Sequence, residues 1–258
     1  MTSQSPLENQ DVMPWYLRWF GEDYLRLYLH RDDEEAKSQI DFLHTHLKWT
    51  AEMRFLDIAC GSGRHLKQIG KINPHYAVGI DASKVLLQIA QSELIHFKNI
   101  TLVQADMRSI PVKDASFDVA LSMFTSFGYF QTDAEHIQLL KEWRRVLCQK
   151  GKLVIDYLNK DVVIESLPND TETEHDGTRV VQKRSLSKDT LRVEKHIELS
   201  KPNQAKEYFT ESVRLYDANE LKHLLESTSF KILEMLGDFS NTPFTKNSKR
   251  CVVIAEAV

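Results

Sequence analysis

Apolar positions in this chain fall in short runs that end on acidic or glycine residues, and up to about residue 158 these runs alternate with stretches of helical spacing. Phe55, Leu56, Ile58 and Ala59 make one run, and Ala77–Ile80, Thr101–Gln104, Phe117–Met123 and Gly151–Asp156 make the next four. Runs of this length suit parallel strands buried on both faces. Between them, Val85, Leu86, Ile89 and Ala90 share one helical face behind Ser83, and Thr132 with Glu135 forms a capping box before Ile137, Leu140 and Leu147. The alternation predicts a doubly wound, Rossmann-like α/β sheet with right-handed crossovers.

Upstream, helices are predicted over Pro14–Leu29 and Glu34–Lys48, the second with a stripe of Ala36, Ile40, Leu43 and Leu47. Residues 1–50 thus form an N-terminal helical segment lying over the crevice or the sheet edge, and residues 51–258 the main domain. After Leu158 the rhythm becomes that of strands and polar turns. Val180–Leu186, Leu191–Leu199 and Glu207–Leu215 predict an antiparallel meander inserted at about 161–215. Asp217 with Glu220 caps a further helix through Leu221, Leu224 and Leu225, and Cys251–Ala255 supplies a last strand.

The chemistry sits where the strands end. Asp57-Ile-Ala59-Cys60-Gly61-Ser62-Gly63 joins a strand to a helix through two glycines, which let a ligand touch the backbone, and the helix beginning at Arg64 points its first amides into the same crevice. Asp81 follows about twenty residues on, where a nucleotide site places an acid on ribose hydroxyls. Asp106 ends the third strand. In an open parallel sheet the crevice lies outside the carboxyl ends of the strands, so Asp57, Asp81 and Asp106 face one side. A dinucleotide fingerprint wants a third Gly or Ala where Leu66 stands, and the Gly-Lys-Ser/Thr of triphosphatases is missing. The crevice is shaped for an adenosine without a phosphate chain.

Leu56-Asp-Ile-Ala-Cys-Gly-Ser-Gly63, Val78-Gly-Ile-Asp81, Gln104-Ala-Asp-Met107, Phe117-Asp-Val-Ala-Leu-Ser-Met123 and Gly151-Lys-Leu-Val-Ile-Asp156 together resemble the ordered motifs of class I S-adenosylmethionine-dependent methyltransferases. The resemblance covers roughly Arg54 to Leu158. It implies a seven-stranded sheet, S-adenosylmethionine as cofactor, and a Gly61–Gly63 turn, with Ala59, Cys60, Ser62 and Arg64, beside the methionine part. It also implies that Asp81 with Ala82 binds the ribose, that Asp106 with Met107 flanks the adenine, and that Ser122 and Met123 lie under the sulfonium. Insertions at the place of the meander cover the site or pair two subunits in similar enzymes, which makes a homodimer an option.

Composition changes the picture little. With 258 residues, 42% apolar and 27% charged, the chain is long enough for one large core. A net charge of −4 gives no general attraction to nucleic acid or anionic membrane. No membrane span or leader is expected, which points to the cytoplasm. Cys60, Cys148 and Cys251 are odd in number and unpatterned, and His44-Thr-His46 diverges on a helix, so no metal site is indicated.

The acceptor side is expected at Phe124-Thr-Ser-Phe127-Gly-Tyr129-Phe130, with Phe127 and Tyr129 facing the acceptor and Tyr157 as a second tyrosine there. Trp15, Trp19, Tyr24 and Tyr28 read first as helix core, while the resemblance keeps open that Tyr24 or Tyr28 closes over the cofactor, and Arg179, Lys183, Arg184, Lys188, Arg192 and Lys195 read as a solvated sheet face. The fourth strand lacks the Asn/Asp-Pro-Pro-Tyr/Phe of enzymes acting on base or glutamine amide nitrogens, which argues against nucleic acid as the substrate. A small molecule methylated at O or N is the expected acceptor, with no catalytic residue evident. Two other classes stay open: a non-catalytic cofactor-binding or regulatory module of the same fold, and an NAD-dependent oxidoreductase, which Leu66 opposes.

Overall fold

The computed structural model describes residues 13–28, 33–167, 170–175 and 177–258. Helices α1 (Trp15–Trp19), α2 (Glu22–Tyr28) and α3 (Asp33–His46) precede the sheet. Then come β1 (Arg54–Ile58), α4 (Arg64–Lys71), β2 (Tyr76–Asp81), α5 (Lys84–Glu93), β3 (Ile100–Gln104), β4 (Phe117–Ser122), α6 (Asp133–Val146), β5 (Leu147–Leu158) and α7 (Lys160–Glu165). The remainder is β6 (Thr171–His175), β7 (Thr178–Leu186), β8 (Arg192–Ser200), β9 (Glu207–Arg214), α8 (Ala218–Ser227), β10 (Phe230–Leu236) and β11 (Arg250–Ala257).

The large sheet runs β10-β11-β5-β4-β1-β2-β3, with β11 antiparallel to both neighbours and the other six strands running in one direction. Strand alternation sends Leu56, Ile58 and Ala120 to one face, against Leu140 and Trp143 of α6 and Leu221 and Leu225 of α8. Phe55, Val119 and Leu121 go to the other, against Ile40 and Leu43 of α3, Ile69 of α4 and Ala90 of α5. Ser83, Thr132 and Asp217 cap α5, α6 and α8, the last two in capping boxes with Glu135 and Glu220. Strand order reverses between β1 and β4, which opens a crevice at their carboxyl ends.

Two expectations need correction. The first helix is broken: Gly21 separates α1 from α2, and the freed carbonyl of Phe20 accepts the Ser83 hydroxyl at 2.5 Å. Leu29, where that helix was expected to end, lies outside the described residues. The inserted sheet has four antiparallel strands, β6-β7-β8-β9, not three. β6 alternates Thr171 and Thr173 with Glu172 and Glu174, so the two-residue period has no apolar face to announce it. β10 also carried no clear signal, because Lys231 and Glu234 interrupt its apolar residues.

The N-terminal helices pack on the inserted sheet. Trp19 and Leu27 join Val180, Ile197 and Leu199 in one apolar cluster. The Trp19 indole donates to Glu211 at 2.5 Å, and Lys201 pairs with Asp23 at 2.9 Å.

Candidate cofactor and acceptor site

A cavity of about 770 Å³ lies at the strand reversal, between the carboxyl ends of β1, β2 and β4 and the N-terminal helices. The turn after β1 enters left-handed backbone at Ala59, Gly61 and Gly63 (φ 56°, 54° and 82°). A Cβ on Gly63 would lie 2.9 Å from Leu94 Cδ1 and 3.2 Å from Ala90 Cβ, so helix packing as well as φ requires glycine there. Gly63 is the N-cap of α4 and supplies no side-chain acceptor, which leaves the first amides of that helix directed at the cavity.

Asp81 fixes this turn. One carboxylate oxygen accepts Gly61 N–H at 2.8 Å and the other accepts Ser83 N–H at 2.7 Å. Burial raises its pKa despite these backbone bonds and one from Ala82. A carboxylate offers about four lone-pair sites, so acceptor capacity remains on both oxygens.

Asp57 is only 1% exposed, and its Oδ2 has no hydrogen-bond partner. Burial, then the neighbouring Asp81, push its pKa up to about 8 against the opposing charge of Arg64. The sign follows from the raised value. The neutral acid is favoured in the fold, so its contribution to stability is full below about pH 4, declines as pH rises, and is gone above about pH 8. Asp57→Asn should therefore gain melting temperature over wild type progressively from pH 5 to 8. Thermal scans at fixed ionic strength check this, and a constant gap across that range would contradict it.

Asp106 lines the cavity beside Met107. Burial disfavours its charge, but hydrogen bonds from Arg108 outweigh this and hold its pKa below the usual carboxylate value. Arg108 also reaches Glu135 at 2.8 Å and lies 4.2 Å from the Phe130 ring centre. His65 turns inward to Gln39 at 2.8 Å, and burial drops its pKa to about 3.

The far end of the cavity is aromatic. The Tyr129 ring meets Trp15 edge-on at 4.9 Å and stacks near Phe20 at 5.7 Å and Tyr16 at 6.5 Å. Gly128 takes φ 100°, and a Cβ there would approach Val213 Cγ1 at 3.0 Å. Arg192 of β8 donates to the Phe130 and Ser212 carbonyls at 3.0 and 2.9 Å, and Arg214 N–H of β9 donates to the Gly128 carbonyl at 2.8 Å. Arg192 is thus no part of a solvated face: burial lowers its pKa, and its guanidinium holds the loop that carries Tyr129.

Of the residues singled out in the sequence, Asp57, Ala59, Cys60, Gly61, Ser62, Gly63, Arg64, Asp81, Ala82, Asp106, Met107, Met123 and Tyr129 all line this cavity. Ser122, Phe127 and Tyr157 do not. Ser122 is fully buried within the sheet. Phe127 turns into the core against Trp143, Tyr157 and Tyr216. Tyr157 is fully buried, donates its hydroxyl to the Arg214 carbonyl and accepts Tyr216 N–H, so it braces β9 and has no surface for an acceptor. Tyr16 and Phe20 line the cavity and were not singled out. With Tyr24 they follow a spacing of four residues, but Trp15 and Trp19 are four apart as well, so spacing alone does not separate the two sets. The Tyr28 side chain lies outside what is described.

A family profile described as a methyltransferase domain matches residues 55–151, the stretch that holds the glycine turn, Asp81, Asp106 and Tyr129. Over that stretch the chain is similar to methyltransferases, and its seven-stranded sheet is the fold of the S-adenosylmethionine-dependent class. The putative methyltransferase YqeM of Bacillus subtilis is 27% identical over 201 residues, spanning 76% of this chain and 81% of that relative. The demethylmenaquinone methyltransferase of Thermotoga maritima is 32% identical over 120 residues, 46% of each chain. In fold, an S-adenosylmethionine-dependent methyltransferase from Clostridium acetobutylicum superposes with a TM-score of 0.75 at 16% identity over 91% of this chain and 96% of that one. The sugar N-methyltransferase KedS8 from Streptoalloteichus gives 0.68 at 21% identity over 100% and 98%.

The residues present fit the cofactor of this class. The methyltransferase crevice offers a backbone cradle at Gly61–Gly63, a buried and unpartnered carboxylate oxygen on Asp57, and lone pairs left on Asp81.

Proposed function

We propose that this methyltransferase acts on a small molecule, at an amine nitrogen in preference to a hydroxyl oxygen. In this reading Asp81 with Ala82 holds the ribose and Asp106 with Met107 flanks the adenine. The Gly61–Gly63 turn, Asp57 and Arg64 take the amino-acid end, and Tyr16, Phe20, Met123 and Tyr129 wall the acceptor. When bound, S-adenosylmethionine supplies a sulfonium methyl already activated for in-line displacement. What remains for the protein is to exclude water and hold the acceptor at near-attack distance, which can supply about 7–11 kcal/mol of the barrier.

One observation carries the preference for nitrogen. Asp57 is assigned above to the amino-acid end of the cofactor, and the other acids and the histidine along the cavity are engaged elsewhere: Asp81 by backbone amides, Asp106 by Arg108, His65 by Gln39, and Asp33 and Glu93 by Lys67. A hydroxyl must lose a proton to react, whereas a neutral amine already carries its lone pair. KedS8 and CalS10, described as an amino pentose methyltransferase, are similar in fold and act on sugars bearing such groups. No described helix is long and apolar enough to cross a membrane.

Two measurements check the reading. S-adenosylhomocysteine at a hundred times its dissociation constant should stabilise the fold by about 2.7 kcal/mol, or roughly 5–11 °C in midpoint, while NADH does nothing. A shift with NADH alone would overturn the cofactor assignment. In a panel of paired acceptors differing only by amine or hydroxyl, methyl transfer is expected on the amines. Transfer confined to the hydroxyl members would reverse the acceptor assignment.

A further inference from the structure

Directly after β4 the chain passes through two consecutive non-glycine residues in left-handed backbone, Phe124 at φ 56° and Thr125 at φ 64°. Each such residue costs of order 1 kcal/mol or more and persists only where its surroundings impose it. Here those surroundings can be named. Asp156, near the end of β5 and 2% exposed, accepts Phe124 N–H on Oδ2 at 3.0 Å, and its backbone carbonyl accepts Thr125 N–H at 2.9 Å. Arg250, at the start of β11, donates Nε to the other Asp156 oxygen at 2.7 Å and Nη2 to the Thr125 hydroxyl at 2.7 Å. Two residues beyond the methyltransferase profile match, Asp156 and Arg250, thus pin both residues of the turn.

The turn has a target. It brings the Phe124 ring to the cavity wall, with its centre 5.9 Å from the guanidinium carbon of Arg64, the first residue of α4. Glu35 lies 3.9 Å from the same guanidinium. An arginine side chain has several soft torsions, and a ring face beside it removes much of that freedom.

We infer that Asp156 and Arg250 are positioning residues for the cofactor's amino-acid end: they hold the strained Phe124–Thr125 turn so that Phe124 restrains Arg64 toward the ligand carboxylate. The inference rests on the placement of Arg64 proposed above. Neither residue lines the cavity, so both act only through the turn.

The test compares two ligands that share adenosine and sulfur but differ at that end, S-adenosylhomocysteine and 5′-methylthioadenosine. Calorimetry on wild type, Asp156→Asn and Arg250→Met gives the ratio of the two affinities. The ratio should fall by about tenfold in both variants, the weight of one charge-assisted hydrogen bond, with methylthioadenosine affinity within about twofold of wild type. General loosening of the fold would weaken both ligands together and leave the ratio intact, which would overturn the clamp. Should buried Asp156→Asn fail to fold, Arg250→Met carries the same comparison at a partly exposed position. A wild-type chain that binds neither ligand would overturn the cofactor reading and this inference with it; one that discriminates while Arg250→Met discriminates equally well overturns the clamp alone.

Discussion

Asp81→Ala is expected to weaken S-adenosylhomocysteine binding by two orders of magnitude or more, the largest effect of any single side chain at the site. Removing one partner of a buried, hydrogen-bonded charge costs about 2–5 kcal/mol, and every 1.4 kcal/mol is tenfold in affinity. Asp81 is 9% exposed and has two tasks in the proposed site, meeting the ribose and tying Gly61 to Ser83. Asp81→Asn makes a sharper comparison. Both carboxylate oxygens accept backbone N–H groups, whereas an amide can accept with only one end, so its NH₂ would face a donor. Asparagine should therefore fall close to alanine rather than midway to wild type. Titration by calorimetry decides, and wild-type affinity in either variant would show that the ribose lies elsewhere.

Turnover should fall about 10–100-fold in Tyr129→Ala, with S-adenosylhomocysteine affinity changed only a few-fold, while Tyr129→Phe stays within about threefold. Aromatic pairs contribute about 0.5–1.5 kcal/mol each beyond area burial, and Tyr129 makes three such pairs, with Trp15, Tyr16 and Phe20. Alanine would remove a wall of the cavity and also loosen α1 above it. Phenylalanine keeps the shape and loses only the hydroxyl, which a reaction run by positioning does not need. Steady-state rates on any accepted amine distinguish the cases. Phenylalanine as damaging as alanine would assign the role to the hydroxyl, and an alanine variant at wild-type rate would move the acceptor away from this wall.

The cofactor half of the candidate site was legible as a set of cavity-lining residues because they are local in sequence. A strand, a two-glycine turn and a helix start already determine where Gly61, Gly63 and Arg64 go, and strand ends place Asp57, Asp81 and Asp106 on one side. The acceptor half was legible only as composition. Phe124, Phe127, Tyr129 and Phe130 occupy one loop, but which ring turns inward depends on Arg192 and Arg214 reaching it from more than sixty residues away, and on Gly128 meeting Val213. Tyr157 failed for the same reason, since its partner Arg214 belongs to another sheet. Arg192 sat in a basic run that reads alike whether solvated or buried. Strands β6 and β10 escaped because neither carries an unbroken apolar face.

The cavity lining ends at Phe130, although almost half of the chain lies beyond it. Among the described residues, several strands after that point shape the cavity wall from behind: β8 and β9 through the Gly128–Phe130 carbonyls, β5 and β11 through the Phe124 turn, and the inserted sheet through the Trp19 side chain. Which described side chains line the cavity is therefore written in the first half of the sequence, and how far apart they stand depends in part on the second. Drift in the second half can widen, narrow or tilt the acceptor end without exchanging one contacting side chain, so two homologues with identical lining residues need not share a substrate.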